Sequence, residues 1–166
     1  MITDLPSSFK HTVISDGILS ACSQSPSKVA YKHGQKTRTY HELKQRIDSI
    51  SGIIHSFQIP MKCNIAIVAS NSIEYMEIVL AASQLGHPIA TVNPKLTAND
   101  IVSICEDAEA KLVFVDQKVS SLLVGRNIRG VQEIIGIDNE METLIAQTEC
   151  PSQLPTIKEK KWKKCK

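Results

Sequence analysis

Asn64-Ile65-Ala66-Ile67-Val68-Ala69-Ser70-Asn71-Ser72-Ile73-Glu74-Tyr75 is the stretch on which the fold turns. After Asn64 the chain runs apolar without alternation for the length of a strand. Continuous apolarity is what a strand covered on both faces requires, whereas a half-exposed strand would alternate. Asn71 then reads as a helix cap with the acid Glu74 three residues on, and Met76, Val79, Leu80 and Ala82 carry an apolar face to Gly86. A small capping side chain at the start and glycine at the end bound a helix at its two ends. The stretch is therefore a buried strand, a short turn and a helix.

The same unit recurs downstream. Residues 89–92 form the next apolar run, Thr97 and Asp100 cap a further helix carrying Ile101, Ile104, Cys105 and Ala108, and residues 111–115 make a third strand closed by Asp116. Strands starting at Asn64, Ile89 and Lys111 leave room for one helix in each crossover. That spacing predicts right-handed βαβ units and a parallel sheet. A helix within residues 117–127, a strand over 133–138 and a short helix over 141–147 extend the pattern.

Upstream, Thr39-Tyr40-His41-Glu42 fits a capping box, in which the threonine side chain accepts from the third helical amide and the glutamate reaches back. Leu43, Ile47, Ile50, Ile54 and Phe57 follow at spacings of three and four, which predicts an amphipathic helix. Residues 28–31 and 36–40 around His33-Gly34-Gln35 read as a hairpin, and Val13, Ile14, Ile18 and Leu19 as a first short helix. Residues 1–17 are assigned to a leader, 18–150 to the folded domain and 151–166, with two prolines and a lysine run, to a disordered tail.

Composition narrows the function classes. Hydrophobic content of 42% and charged content of 22% fit a globular domain and exclude disordered and collagen-like chains. No apolar run is long enough to span a membrane, and the first ten residues lack the regions of a signal peptide, so a cytoplasmic address is expected. Cys22, Cys63, Cys105, Cys150 and Cys165 are widely spaced with no C-x-x-C pair, which predicts thiols rather than disulfides or zinc. His11, His33, His41, His55 and His87 show no ligand spacing, so no metal site is expected. Residues 158–166 hold six lysines against Glu159, a surplus of five positive charges in a chain of net +2, leaving −3 before Lys158. With no basic face on the body, nucleic-acid binding is not expected.

Motifs for chemistry are missing. Neither G-x-G-x-x-G nor a GK[ST] loop occurs, and the strand-to-helix turn at 69–72 has no glycine to bring amides up to a phosphate. There is no G-x-S-x-G elbow, and Glu106, Asp107 and Glu109 read as a solvated helix end.

The order of the pieces resembles the AMP-forming acyl-CoA synthetases and related adenylating enzymes. Arg38-Thr39-Tyr40-His41-Glu42-Leu43 is similar to their T-Y-x-E-L motif, and the opening stretch to their strand followed by N-S-x-E-[FY]. Leu85-Gly86-His87-Pro88-Ile89-Ala90-Thr91-Val92-Asn93-Pro94-Lys95-Leu96-Thr97 resembles the motif ending N-P-x-L-T of fatty-acyl and aryl-CoA ligases, and 110–116 the strand after it. The likeness covers residues 18–138, with His87 standing where the family carries a small residue. It implies a Rossmann-like, doubly wound, mostly parallel α/β sheet with flanking helices, the N-terminal subdomain of the adenylating-enzyme fold.

The resemblance also implies what the chain lacks. Where the family has a Ser/Thr/Gly-rich loop ending in P-K-G, this sequence reads Glu159-Lys160-Lys161-Trp162-Lys163-Lys164-Cys165-Lys166. The magnesium-binding glutamate, the ribose-binding aspartate and the catalytic lysine of the family have no counterpart. The expectation is a truncated synthetase, inactive alone and without a cofactor of its own, the intact family enzymes using ATP, Mg and CoA. No catalytic or metal residue is assigned. Lys95, following Asn-Pro, is the one residue carried over as a contact to the nucleotide phosphate of CoA, a solvent lysine in a strand-to-helix loop being the alternative. A second function class is a non-catalytic interaction domain, associating with a full-length synthetase or with itself through exposed sheet surface.

Overall fold

A computed structural model describes residues 14–147, so the leader up to residue 13 and the basic tail, with Cys150 and Cys165, lie outside the described residues. The described residues form α1 (Ile14–Gln24), β1 (Val29–His33), β2 (Lys36–Thr39), α2 (Tyr40–Ser56), β3 (Ile65–Val68), α3 (Ile73–Leu85), β4 (Ile89–Val92), α4 (Ala98–Asp107), β5 (Leu112–Val115), α5 (Gln117–Leu123), β6 (Glu133–Gly136) and α6 (Asn139–Gln147). α1 thus opens inside the stretch assigned to the leader.

β1 and β2 pair antiparallel, joined by Gly34-Gln35 with Gly34 at φ 59°. That left-handed angle is one glycine adopts without steric cost, and a two-residue loop with glycine first suits the twist of a hairpin. The main sheet has four strands in the order β4-β3-β5-β6, and every neighbouring pair is parallel. The expected doubly wound parallel sheet is present.

Alternate residues of the two central strands divide the core. Ile65, Ile67, Leu112 and Phe114 face α2 and α3, while Ala66, Val68, Val113 and Val115 face α4 and α5. All eight are wholly buried, which explains the unbroken apolar runs in the sequence. Each Leu, Ile or Phe placed there contributes roughly 1.5–3 kcal/mol, so these strands are the mechanical centre of the domain.

Helix signals hold with local shifts. Thr39 makes the complete capping box with Glu42, and Thr97 accepts from the amide of Asp100. The cap of α3 is Ser72 rather than Asn71: its side chain accepts from Tyr75, placing Glu74 one position too early to reach back. The α3 stripe also differs, because Glu77 and Ile78 are buried while Met76 is exposed and Val79 half-buried. On α4, Ile101 and Cys105 are buried, but Ile104 is exposed. Gly86 ends α3 at φ 76°, and the next amide, of His87, donates to Ala82.

Candidate functional site

The strand order locates the place where a ligand would sit. From β3 the chain crosses to β4 through α3 on one face; from β4 to β5, and on to β6, it crosses through α4 and α5 on the other. Helices therefore leave β3 and β5 in opposite directions, opening a crevice beyond the carboxyl ends of these neighbours, the usual ligand position in open α/β sheets. A cleft of ≈ 560 Å³ occupies that crevice.

Three segments wall the cleft over Asp116. The β1–β2 hairpin supplies His33 and Lys36, the β3–α3 turn supplies Ser70, Asn71, Ser72 and Glu74, and the start of α6 supplies Asn139 and Glu142 after Ile137 and Asp138. Asp116 uses both carboxylate oxygens on the backbone: Oδ2 accepts from the amide of Ser70 at 3.1 Å, and Oδ1 caps α5 by accepting from Val119 at 3.0 Å. Lys36 Nζ lies 2.9 Å from Glu74 Oε1. Burial pushes the Glu74 carboxyl up, yet its own amide, Lys36 and Ser72 together hold it below its ordinary range.

Behind the cleft lies a charge network that crosses four elements. Glu77 on α3 is wholly buried, with Oε1 accepting from Arg38 Nε of β2 at 3.2 Å and Oε2 from Arg46 Nε of α2 at 2.8 Å. Arg46 turns its other two nitrogens to Glu142 of α6 in a forked pair, both at 2.7 Å. Burial alone would disfavour the Arg46 charge, but Glu142 and Glu77 raise its affinity for the proton above the ordinary guanidinium value. A buried carboxylate is tolerable when both oxygens are held this way and is strongly destabilising when one holder is lost.

Nucleotide phosphates do not fit this cleft. Asp116 and Asp138 would repel a triphosphate, Lys36 is already paired with Glu74, Glu142 is paired with Arg46, and the amide of Ser70 is spent on Asp116. No glycine-rich turn is present to replace them. Among the described residues no three His, Cys, Asp or Glu side chains converge as a metal set. Nor is any described helix long and apolar enough to cross a membrane.

The other singled-out residues fall apart from the cleft. Lys95 is exposed in the loop after the edge strand β4, its amide donating to Asn93 Oδ1 at 3.0 Å, and it does not line the cleft. Glu106 accepts from the amide of Arg129 at 2.9 Å, while Asp107 and Glu109 are exposed. Cys22, Cys63 and Cys105 are buried, and burial pushes the Cys105 thiol up to about 11, which removes it as a nucleophile at neutral pH. His87 Nδ1 sits 3.0 Å from the Cys63 carbonyl. Burial lowers its proton affinity, and that bond opposes the shift without reversing it. Sequence reading missed Glu77 and its arginines; the available signal was an acid at 77 on the stripe of Ile73 and Ala81.

Comparison with known proteins agrees with this architecture. The 2-succinylbenzoate–CoA ligase of Oceanobacillus iheyensis is 29% identical over 124 residues, covering 72% of this chain and 26% of that protein. A probable CoA ligase of Humulus lupulus, CCL5, is 27% identical over 110 residues, or 66% of this chain and 19% of the relative. The chain thus spans about a fifth to a quarter of the length of these curated relatives. The N-terminal domain of FACL13 from Mycobacterium tuberculosis superposes with a TM-score of 0.79 at 17% identity, over 87% of this chain and 38% of that one, which shows a shared fold. The family model for AMP-binding enzymes matches residues 19–164, running past the motifs into the lysine-rich end. The chain belongs to the AMP-binding enzyme family.

Proposed function

We propose that this chain provides the N-terminal, sheet-building part of an acid–CoA ligase, and that its 166 residues alone do not convert a carboxylate, ATP and CoA into acyl-CoA, AMP and diphosphate. The observation that carries the proposal is the cleft at the sheet's carboxyl edge: it stands where α/β sheets bind ligands, yet acids line it and no phosphate loop follows any of its strands. In the intact enzyme, which we place in the cytoplasm, ATP and Mg would be held by residues other than these, and so would most of CoA. Lys95, exposed beyond the end of β4, is the one side chain we assign to the CoA nucleotide phosphate. The test incubates the purified chain with Mg-ATP, CoA and a panel of fatty and aromatic acids while diphosphate release is followed. No release above the protein-free control is expected, and acid-dependent release would overturn the reading.

A second reading, a non-catalytic domain that associates with a full-length synthetase or with itself, draws on the outer edges of β4 and β6, each bonded on one side only among the described residues. Co-elution with a full-length relative in size exclusion would support it, and a monomer that ignores the relative would remove it.

A further inference from the structure

We propose that Glu77 couples the two side walls of the carboxyl-edge cleft, so that loosening the hairpin loosens α6 and loosening α6 loosens the hairpin. Among the described residues no hydrogen bond or ion pair joins the two walls directly, and each is tied inward by charge. Arg38 belongs to the hairpin, Glu142 to α6, and both reach the same buried carboxylate, Glu142 by way of Arg46. Beyond this tie α6 is held by the Gly136 amide donating to Glu140 at 2.7 Å and by Met141, its one wholly buried side chain, with Leu144 and Ile145 half-covered.

Electrostatics make the two ties interdependent. Glu77 is wholly buried and shares its one charge between Arg38 Nε and Arg46 Nε. Removing Arg38 frees the carboxylate to turn fully onto Arg46, whose fork toward Glu142 is set by its Nε contact. Removing Glu142 frees Arg46 to take both Glu77 oxygens and weakens the pull on Arg38. Such coupling is reciprocal, so each wall must respond when the other is loosened. Glu77 is thus a positioning residue for the cleft, setting the relation of walls it does not itself line.

Native-state hydrogen exchange on the full chain tests this with Arg38→Met and Glu142→Gln, both at partly exposed side chains. Arg38→Met is expected to speed exchange of α6 amides by at least about fivefold, and Glu142→Gln to speed the β1–β2 amides by the same factor, with β3 and β5 amides unchanged. The cross-wall effects should vanish in the Glu77→Gln background. If that variant does not fold, the Arg38→Met/Glu142→Gln double variant decides the matter, since coupled ties make its effect on exchange depart from the sum of the single effects and independent ties do not. Each substitution speeding its own wall alone, or all amides together, would overturn the proposal.

Discussion

Glu77 is wholly buried, so its charge rests on the arginines at 3.2 and 2.8 Å. Arg46→Met leaves that carboxylate with one partner and Glu142 with none, and should cost about 3–5 kcal/mol in a urea titration. A loss below about 1 kcal/mol, the scale of an exposed pair, would mean that water reaches the site. His87 gives a pH dependence of definite sign. Burial depresses its folded proton affinity below that of the unfolded chain, so protons bind preferentially to the unfolded state. Stability from this residue is unchanged above about pH 6.5 and falls as pH drops from there toward the folded value. His87→Gln should flatten that part of a stability–pH curve while leaving the carboxylate-driven loss at lower pH; an unaltered slope would show that His87 is not titrating. Only His87 is legible in the sequence, as a histidine beside a strand; Glu77 is missed although it falls on the stripe of Ile73 and Ala81, because the partners that make it tolerable, Arg38 and Arg46, lie 39 and 31 positions away and no local pattern links them.

At the level of elements, the caps carry most of what the sequence made legible. Thr39 and Thr97 stand where short polar side chains meet the amide three residues on, a rule that depends only on local backbone. Asn71 was misplaced by one because Asn and Ser are both good caps, and the choice between 71 and 72 is made by tertiary contacts: the Ser70 amide is held by Asp116 and Glu74 by Lys36. Ser72→Ala should therefore lower stability by about 1 kcal/mol while Asn71→Ala leaves it nearly unchanged, as read by thermal melts of the two variants. Equal effects would return the cap to Asn71. Gly86→Ala should cost about 1–2 kcal/mol, since φ 76° crowds a Cβ against the following carbonyl. The cleft itself was illegible at this scale: its walls come from the hairpin, α3 and α6, brought together by strand order rather than by sequence neighbourhood.

Across the whole molecule, a four-stranded parallel sheet exposes the outer backbone of both edge strands among the described residues, and the two edges are not equal. β6 opens with the exposed charge of Glu133, whereas β4 reads Ile89-Ala90-Thr91-Val92 with no charged residue at all. Edge strands free of charge pair readily with further strands, and a lysine is a common natural block. The purified chain is therefore expected to self-associate through β4, with a weight-average sedimentation coefficient that rises with concentration. Thr91→Lys should return it toward the monomer value, whereas Ile134→Lys on β6 should have a much smaller effect. A melting curve of the variant separates blocked pairing from loss of stability. A wild-type chain that sediments as a monomer at every concentration would show that the β4 edge is covered within the protein itself, and the same result would remove the physical motive for association with a full-length relative through that strand.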